Sequence, residues 1–143
     1  MKIDAIMTRR VVSVAMDDDL GKIYRIFNQE HFHHLLVIED DHTLVGIISD
    51  RDCLKALSPN VNKDCANARD LATLRKKAHQ VMSRYPVVMP SGEPVEHAIK
   101  LLVEQGLSCL PVVNAAGLPI GIVSWKDILR YMALLKRPEP ETA

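Results

Sequence analysis

Apolar positions along the chain fall into two nearly matching series. In the first, VVSV (11–14) is a short β-branched run, followed by an acidic step at Asp17–Asp19 and then by Leu20, Ile23, Tyr24 and Phe27. That i, i+3, i+4, i+7 spacing predicts a helix with one buried stripe. Two short apolar runs follow, LLVI (35–38) and LVGII (44–48), joined by polar EDDHT, and read as a hairpin. A second helix near Asp50–Leu57 closes the series. The second series keeps the order: PVVM (86–89), a helix start marked by Ser91, a stripe at Val95, Ala98, Ile99 and Leu102, then LPVV (110–113) and PIGIV (119–123) joined by NAAGL, and a closing helix at Trp125–Leu135.

Shifting the chain against itself by 75 residues aligns Met7–Lys55 with Met82–Arg130 without a gap. The identities are Met7/Met82, Arg9/Arg84, Val12/Val87, Leu35/Leu110, Val37/Val112, Gly46/Gly121, Ile47/Ile122, Ser49/Ser124, Asp52/Asp127 and Leu54/Leu129. Half of them crowd into GIISDRD and GIVSWKD or the residues just after, so the duplication is sharpest at one turn. The expected fold is α/β (α+β), a pair of β-α-β-β-α repeats related by a pseudo-twofold. A unit of this size buries little surface alone, so the two are expected to share one core. The expected boundaries are repeat 1 over 1–57, a helical linker over 58–78, repeat 2 over 79–135 and a disordered tail over 136–143. In the linker, DCANARDLATLRKKAHQVM reads as helical, with Arg75, Lys76 and Lys77 near its end, where cations suit the helix dipole.

Composition narrows the function. Apolar residues make up 48% of the 143 positions but aromatics only 4%, so the interior is aliphatic. The 18 basic and 18 acidic residues cancel, and a nucleic-acid binder would carry a basic excess or stripe. A small ligand or a protein partner is the better starting point. Three cysteines without CxxC or zinc spacing, and no N-terminal apolar run, predict a reducing cytoplasm. No stretch reaches the ~20 apolar residues of a membrane span.

In the doubled turn Gly-h-h-Ser-x-x-Asp, the glycine permits close backbone approach near a strand end. The serine opens a helix, where free N–H groups attract anions, and the aspartate is an acceptor for paired sugar hydroxyls. Together they suit a ribose-phosphate. Ser-x-x-Asp at a helix start is equally a capping box, whose side chains only satisfy backbone amides. The two roles compete for the same carboxylate.

The order of elements, M-T and M-S at the start of the copies, SCLPVV in the middle strand and the doubled G-h-h-S-x-x-D resemble a tandem CBS-domain pair (a Bateman module) of the stand-alone bacterial type, from Met7 to about Tyr131. The resemblance implies a sensor of adenosine-containing ligands, bound in clefts between the repeats, and a module that pairs into a disc-shaped homodimer. It implies two sites. In one, Asp52 holds the ribose, Ser49 and His33 or His34 face phosphate, and Tyr85, Val87 and Leu107 wall the adenine. In the other, Asp127 and Ser124 take those roles, with Arg10, Val12 and Phe32 around the adenine and Lys126 toward phosphate. Asp50, where the second copy has Trp125, disfavours a highly charged ligand in the first site.

Other features have plainer readings. In EHFHH (30–34) no carboxylate or cysteine completes a convincing metal-ligand set by spacing. Asp17–Asp19 is the ordinary acidic start of a helix. No nucleophile elbow, phosphate-loop lysine or metal triad supports catalysis. The expectation is a non-enzymatic regulatory module without cofactor or metal, binding AMP, ADP, ATP or S-adenosylmethionine and signalling to a separate effector protein. It is expected to involve neither nucleic acid nor membrane. The alternative is a dimerisation scaffold with vestigial clefts; a small unrecognised enzyme is a third reading.

Overall fold

The computed structural model describes residues 1–135; the tail expected over 136–143 lies outside them. The chain divides into two compact units, Val11–Pro86 and the combination of Met1–Arg10 with the chain from Val87 onward.

The first unit opens with β1 (Ser13–Ala15) and α1 (Leu20–Glu30), then the hairpin β2 (His34–Ile38) and β3 (Leu44–Ser49), then α2 (Asp50–Ala56). Strand β1 lies parallel to β2, and β2 runs antiparallel to β3. Asp19 starts α1 by accepting the Lys22 N–H at 2.9 Å, and Asp18 accepts from the Ala15 N–H. The predicted stripe faces inward: Leu20, Ile23 and Phe27 are buried beside Leu35, Val37 and Ile48, with Tyr24 packed at the margin.

The expected long linker helix is three short pieces, α3 (Ala68–Ala72), a 3-10 turn at Thr73–Arg75 and α4 (Ala78–Val81). A capping box and contacts with earlier chain hold the pieces apart. Asn67 and Asp70 form a capping box at the start of α3. Ser58 then ties the segment down, its O–H donating to Asp70 at 2.7 Å while its N–H donates to Thr73. Lys76 turns out of the helix and gives its Nζ to the carbonyl of Ala56 at 2.7 Å.

After α4 comes β4 (Ser83–Arg84), which adds to β3 and completes a sheet in the order β1-β2-β3-β4. The second unit holds β5 (Met89–Pro90), α5 (Val95–Gln105), β6 (Cys109–Val113), β7 (Pro119–Ser124) and α6 (Trp125–Leu135). Its sheet runs β5-β6-β7, with the parallel and antiparallel pairings of the first unit and the same register shift late in the middle strand. The start of the chain folds here. Ile3 and Met7 join its core, Ile3 N–H donates to Glu93, and Thr8 bridges to Ile122.

One cluster of buried residues lies in each unit. Two expectations change. Ser91 does not cap α5: Pro94 holds the N-cap without a side-chain bond, and the Ser91 O–H donates to the Asp4 carboxylate, which also takes the Gly92 N–H. The strands placed at 11–14 and 86–89 start two and three residues later, where parallel pairing with the middle strands fixes them.

The turn glycines are explained by packing. A Cβ on Gly46 would overlap the Met82 sulfur, and one on Gly121 would overlap that of Met7. Both methionines are buried. Replacing either glycine by alanine is expected to cost about 1–3 kcal/mol, the usual penalty of overpacking. Urea unfolding checks this, and Gly46→Ala combined with Met82→Ala should lose less than the sum of the single losses.

Two left-handed positions differ between the copies. His31 (φ 55°) ends α1 where Gly106 (φ 63°) ends α5, and His42 (φ 68°) stands where Gly117 (φ 80°) turns the second hairpin. A side chain there costs roughly 1–2 kcal/mol, partly offset by the entropy glycine loses on folding. His31→Gly is therefore expected to stabilise the protein by about 0.5–1 kcal/mol, read from the same unfolding curves.

Candidate functional site

The two Ser-x-x-Asp turns sit where an outer strand hands over to a helix. In the first unit Ser49 is the N-cap of α2, its Oγ accepting the Asp52 N–H at 3.0 Å while Asp52 Oδ2 accepts the Ser49 N–H at 3.1 Å. In the second, Asp127 Oδ2 accepts the Ser124 N–H at 2.9 Å and the Ser124 O–H at 3.1 Å. The capping reading is thus realised in both copies. Only one oxygen of each carboxylate is used by its cap.

The remaining oxygens meet different surroundings. Asp127 is buried, 5% exposed, and its Oδ1 takes the Thr8 O–H at 3.2 Å with the Arg130 guanidinium 3.7 Å away. Asp52 is half-buried and lines an open hollow of about 410 Å³ with Lys55, Ala56, Lys76, Gln80 and Val81. Thr8 was not among the residues singled out from sequence. Its signal was present in the M-T and M-S dipeptides, but a hydroxyl aimed at a carboxylate 119 positions away is invisible without the fold.

Beside the first turn, His34 faces Ser49 in the strand register, and the Asp50 N–H donates to the His33 carbonyl at 2.9 Å. The His33 ring meets the Asp50 carboxylate at 3.0 Å. Partial burial works against ionisation of Asp50, but the His33 hydrogen bond, the Arg51 N–H and the charges of both histidines outweigh it and hold the carboxyl below its ordinary value. Burial pushes the His34 imidazole down, which favours its neutral form over a cation facing phosphate. In the second unit Trp125 replaces Asp50, and its indole N–H donates to the Leu107 carbonyl at 2.9 Å.

Each residue set divides between the units. Ser49, Asp52, His33, His34 and Tyr85 lie in Val11–Pro86, whereas Val87 and Leu107 lie in the other unit. Ser124, Asp127, Lys126 and Arg10 lie in the second unit, and Val12 and Phe32 in the first. Tyr85 is 83% exposed and held in the left-handed region (φ 50°), just past β4, with its N–H on the Val45 carbonyl. Lys126 is exposed. Among the described residues, no group of three or more His, Cys, Asp or Glu is placed to hold a metal ion, and no helix is long and apolar enough to cross a membrane. All three cysteines are free; burial pushes Cys53 up to about 11 and Cys109 to about 12, so neither thiol is activated.

Fold and turns together define a paired α/β repeat module with one Ser-x-x-Asp turn in each unit. The chain belongs to the CBS-domain family, whose model matches residues 3–59 and 78–134. It is 31% identical over 137 residues to a CBS domain-containing protein of Dictyostelium discoideum, covering 94% of this chain and 93% of that protein. It spans only a quarter of another relative, the inosine-5'-monophosphate dehydrogenase of Methanocaldococcus jannaschii (27% identical), and under half of two uncharacterised proteins from the same organism. Among solved structures it resembles CBSX2 of Arabidopsis thaliana in complex with AMP (28% identical, TM-score 0.77, 95% of this chain and 98% of that one). It also shares its fold with a CBS domain pair solved with 5'-methylthioadenosine and S-adenosyl-L-methionine (24% identical, TM-score 0.78, 95% and 98% covered).

The unequal surroundings of the two aspartates predict unequal stability effects. Asp127→Ala strands buried hydroxyl and N–H donors and is expected to cost about 2–3 kcal/mol, whereas Asp52→Ala removes one N-terminal box and costs about 1 kcal/mol. Chemical denaturation of both variants beside the parent checks the order.

Proposed function

We propose that this chain is a regulatory module that binds an adenosine-containing ligand at its Ser-x-x-Asp turns and signals to a separate effector protein. The observation that carries the reading is the half-exposed Asp52 carboxylate, held at a helix start with one oxygen left over from its cap. A carboxylate so fixed suits two adjacent ribose hydroxyls. Family membership and the likeness to a protein solved with AMP point the same way. Regulation requires that the ligand bind one conformation more tightly than another; affinity alone shifts nothing. No catalytic step is proposed.

The module works, on this reading, as a homodimer in the cytoplasm. Trp125, Leu129, Met132 and Leu135 are all exposed on α6 at a spacing that puts them on one stripe. A second copy is the occupant that fits this apolar face, and three free thiols suit a reducing compartment. The scaffold reading, with vestigial ligand sites, draws on one observation, the completed caps at both turns.

Thermal unfolding with AMP, ADP, ATP, S-adenosylmethionine and 5'-methylthioadenosine tests the proposal. A ligand at about 100 times its Kd adds ~2.7 kcal/mol, which raises Tm by roughly 5–10 °C in a domain of this size. Asp52→Asn, which keeps an oxygen for the cap, is expected to reduce the rise. No rise with any of the five sinks the sensor reading in favour of the scaffold.

A further inference from the structure

A second open hollow, of about 410 Å³, lies in the first unit where β1 ends beside the β2–β3 turn. Its wall is mostly apolar, with Ala15, Met16 and Ile38 contributing, and Asp17, Glu39, Asp40 and Asp41 add four exposed carboxyl groups around it. The neighbouring acids have structural duties. Asp18 and Asp19 start α1, and Lys22 pairs with Asp18 at 3.2 Å. Asp41 holds the turn by accepting the Thr43 N–H at 3.0 Å. The side chains of Asp17, Glu39 and Asp40 make no hydrogen bond or ion pair among the described residues.

The second unit makes the same strand end and turn without them. Ser91 and Gly92 stand for Met16 and Asp17, and Asn114, Ala115 and Ala116 stand for Glu39, Asp40 and Asp41. None of these carries a charge. Asp4 does reach that end, but its carboxylate is taken up by the Ser91 O–H and the Gly92 N–H. The backbone therefore forms without the acid, and gathering like charges at one end costs self-repulsion.

We infer that this hollow docks a basic segment of a partner protein, with an apolar side chain seated against Met16 and Ile38 and lysines or arginines over the carboxylates. Charge complementarity selects the occupant, since three carboxylates without a partner among the described residues surround an apolar wall. These groups are not placed to converge on one metal ion. Cations spaced along a chain meet them where they stand. The sensor reading needs a face for its separate effector, and this surface supplies one. Its test uses no nucleotide, so either reading fails without the other.

Amide NMR spectra of the full chain, titrated at low salt with the peptide KKLKK and with KKGKK and EELEE for comparison, test it. KKLKK is expected to shift the amides of 15–17 and 38–41 and to leave those of 91–92 and 113–116 in place. Glu39→Gln combined with Asp40→Asn should weaken binding about fivefold or more, as for the loss of two exposed ion pairs. Glu96→Gln, which removes an exposed acid on α5, should leave the affinity unchanged. EELEE should not bind, and added salt should release KKLKK. KKGKK binding as tightly as KKLKK removes the apolar seat and overturns the proposal. Shifts scattered over acidic residues elsewhere in the chain, or the same local shifts from magnesium or calcium alone, overturn it too. No shift at millimolar peptide does so outright.

Discussion

The structure depends on a methionine side chain laid across a glycine, made twice. Met82 packs over Gly46 in the first unit and Met7 over Gly121 in the second, at contacts no Cβ could share. Each contact brings in a short segment that pairs with the outer strand of the hairpin: Ser83–Arg84 on β3, and Thr8 on Ile122 of β7. The segment that opens each sequence repeat therefore completes the unit built from the other repeat's hairpin. A further backbone bond secures each exchange, Ala78 N–H on Asp18 in one unit and Ile3 N–H on Glu93 in the other. Burying Ile3, Met7 and Met82 contributes roughly 1.5–3 kcal/mol apiece, a large share of a typical domain's net stability.

The same exchange decides the chemistry of the turns. Once Thr8 is docked on β7, its hydroxyl reaches the Asp127 carboxylate. Asp127 can be buried because its charge is met by two hydroxyls, an N–H and a nearby guanidinium; an isolated buried carboxylate would be prohibitively costly. Among the described residues of the first unit nothing comparable closes over Asp52, which stays half-buried. One oxygen of Asp52 satisfies the helix start, and no hydrogen bond among the described residues takes the other.

Duplicated segments under the same backbone demands have met them with different residues. Two left-handed positions filled by glycine in the second unit, Gly106 and Gly117, are filled by histidine in the first. The residue after the turn serine is an aspartate paired with His33 in one unit and a tryptophan bonded to the Leu107 carbonyl in the other. These substitutions keep the backbone path and alter charge and exposure around it, which is how one fold comes to hold two turns in different surroundings.

Much of this was legible in the sequence. The 75-residue repeat, both apolar stripes, the hairpins and the closing helices all follow from local periodicity and turn chemistry, which act over a few residues. The capping alternative at Ser49/Asp52 and Ser124/Asp127 was legible for the same reason, since a box spans four residues. Local signals misplaced Ser91, because its partner Asp4 is 87 positions away. They also joined the linker into one helix, because the Ser58 and Lys76 contacts that break it come from distant chain. The sequence by itself determined the elements, their order and the residues able to carry chemistry. Only the tertiary structure decided that the repeats exchange their opening segments, that each unit buries its own core, and that Asp127 is enclosed while Asp52 faces an open hollow. Burial and the supply of a second hydrogen-bond partner are set by which distant segments pack together, and no local pattern encodes that.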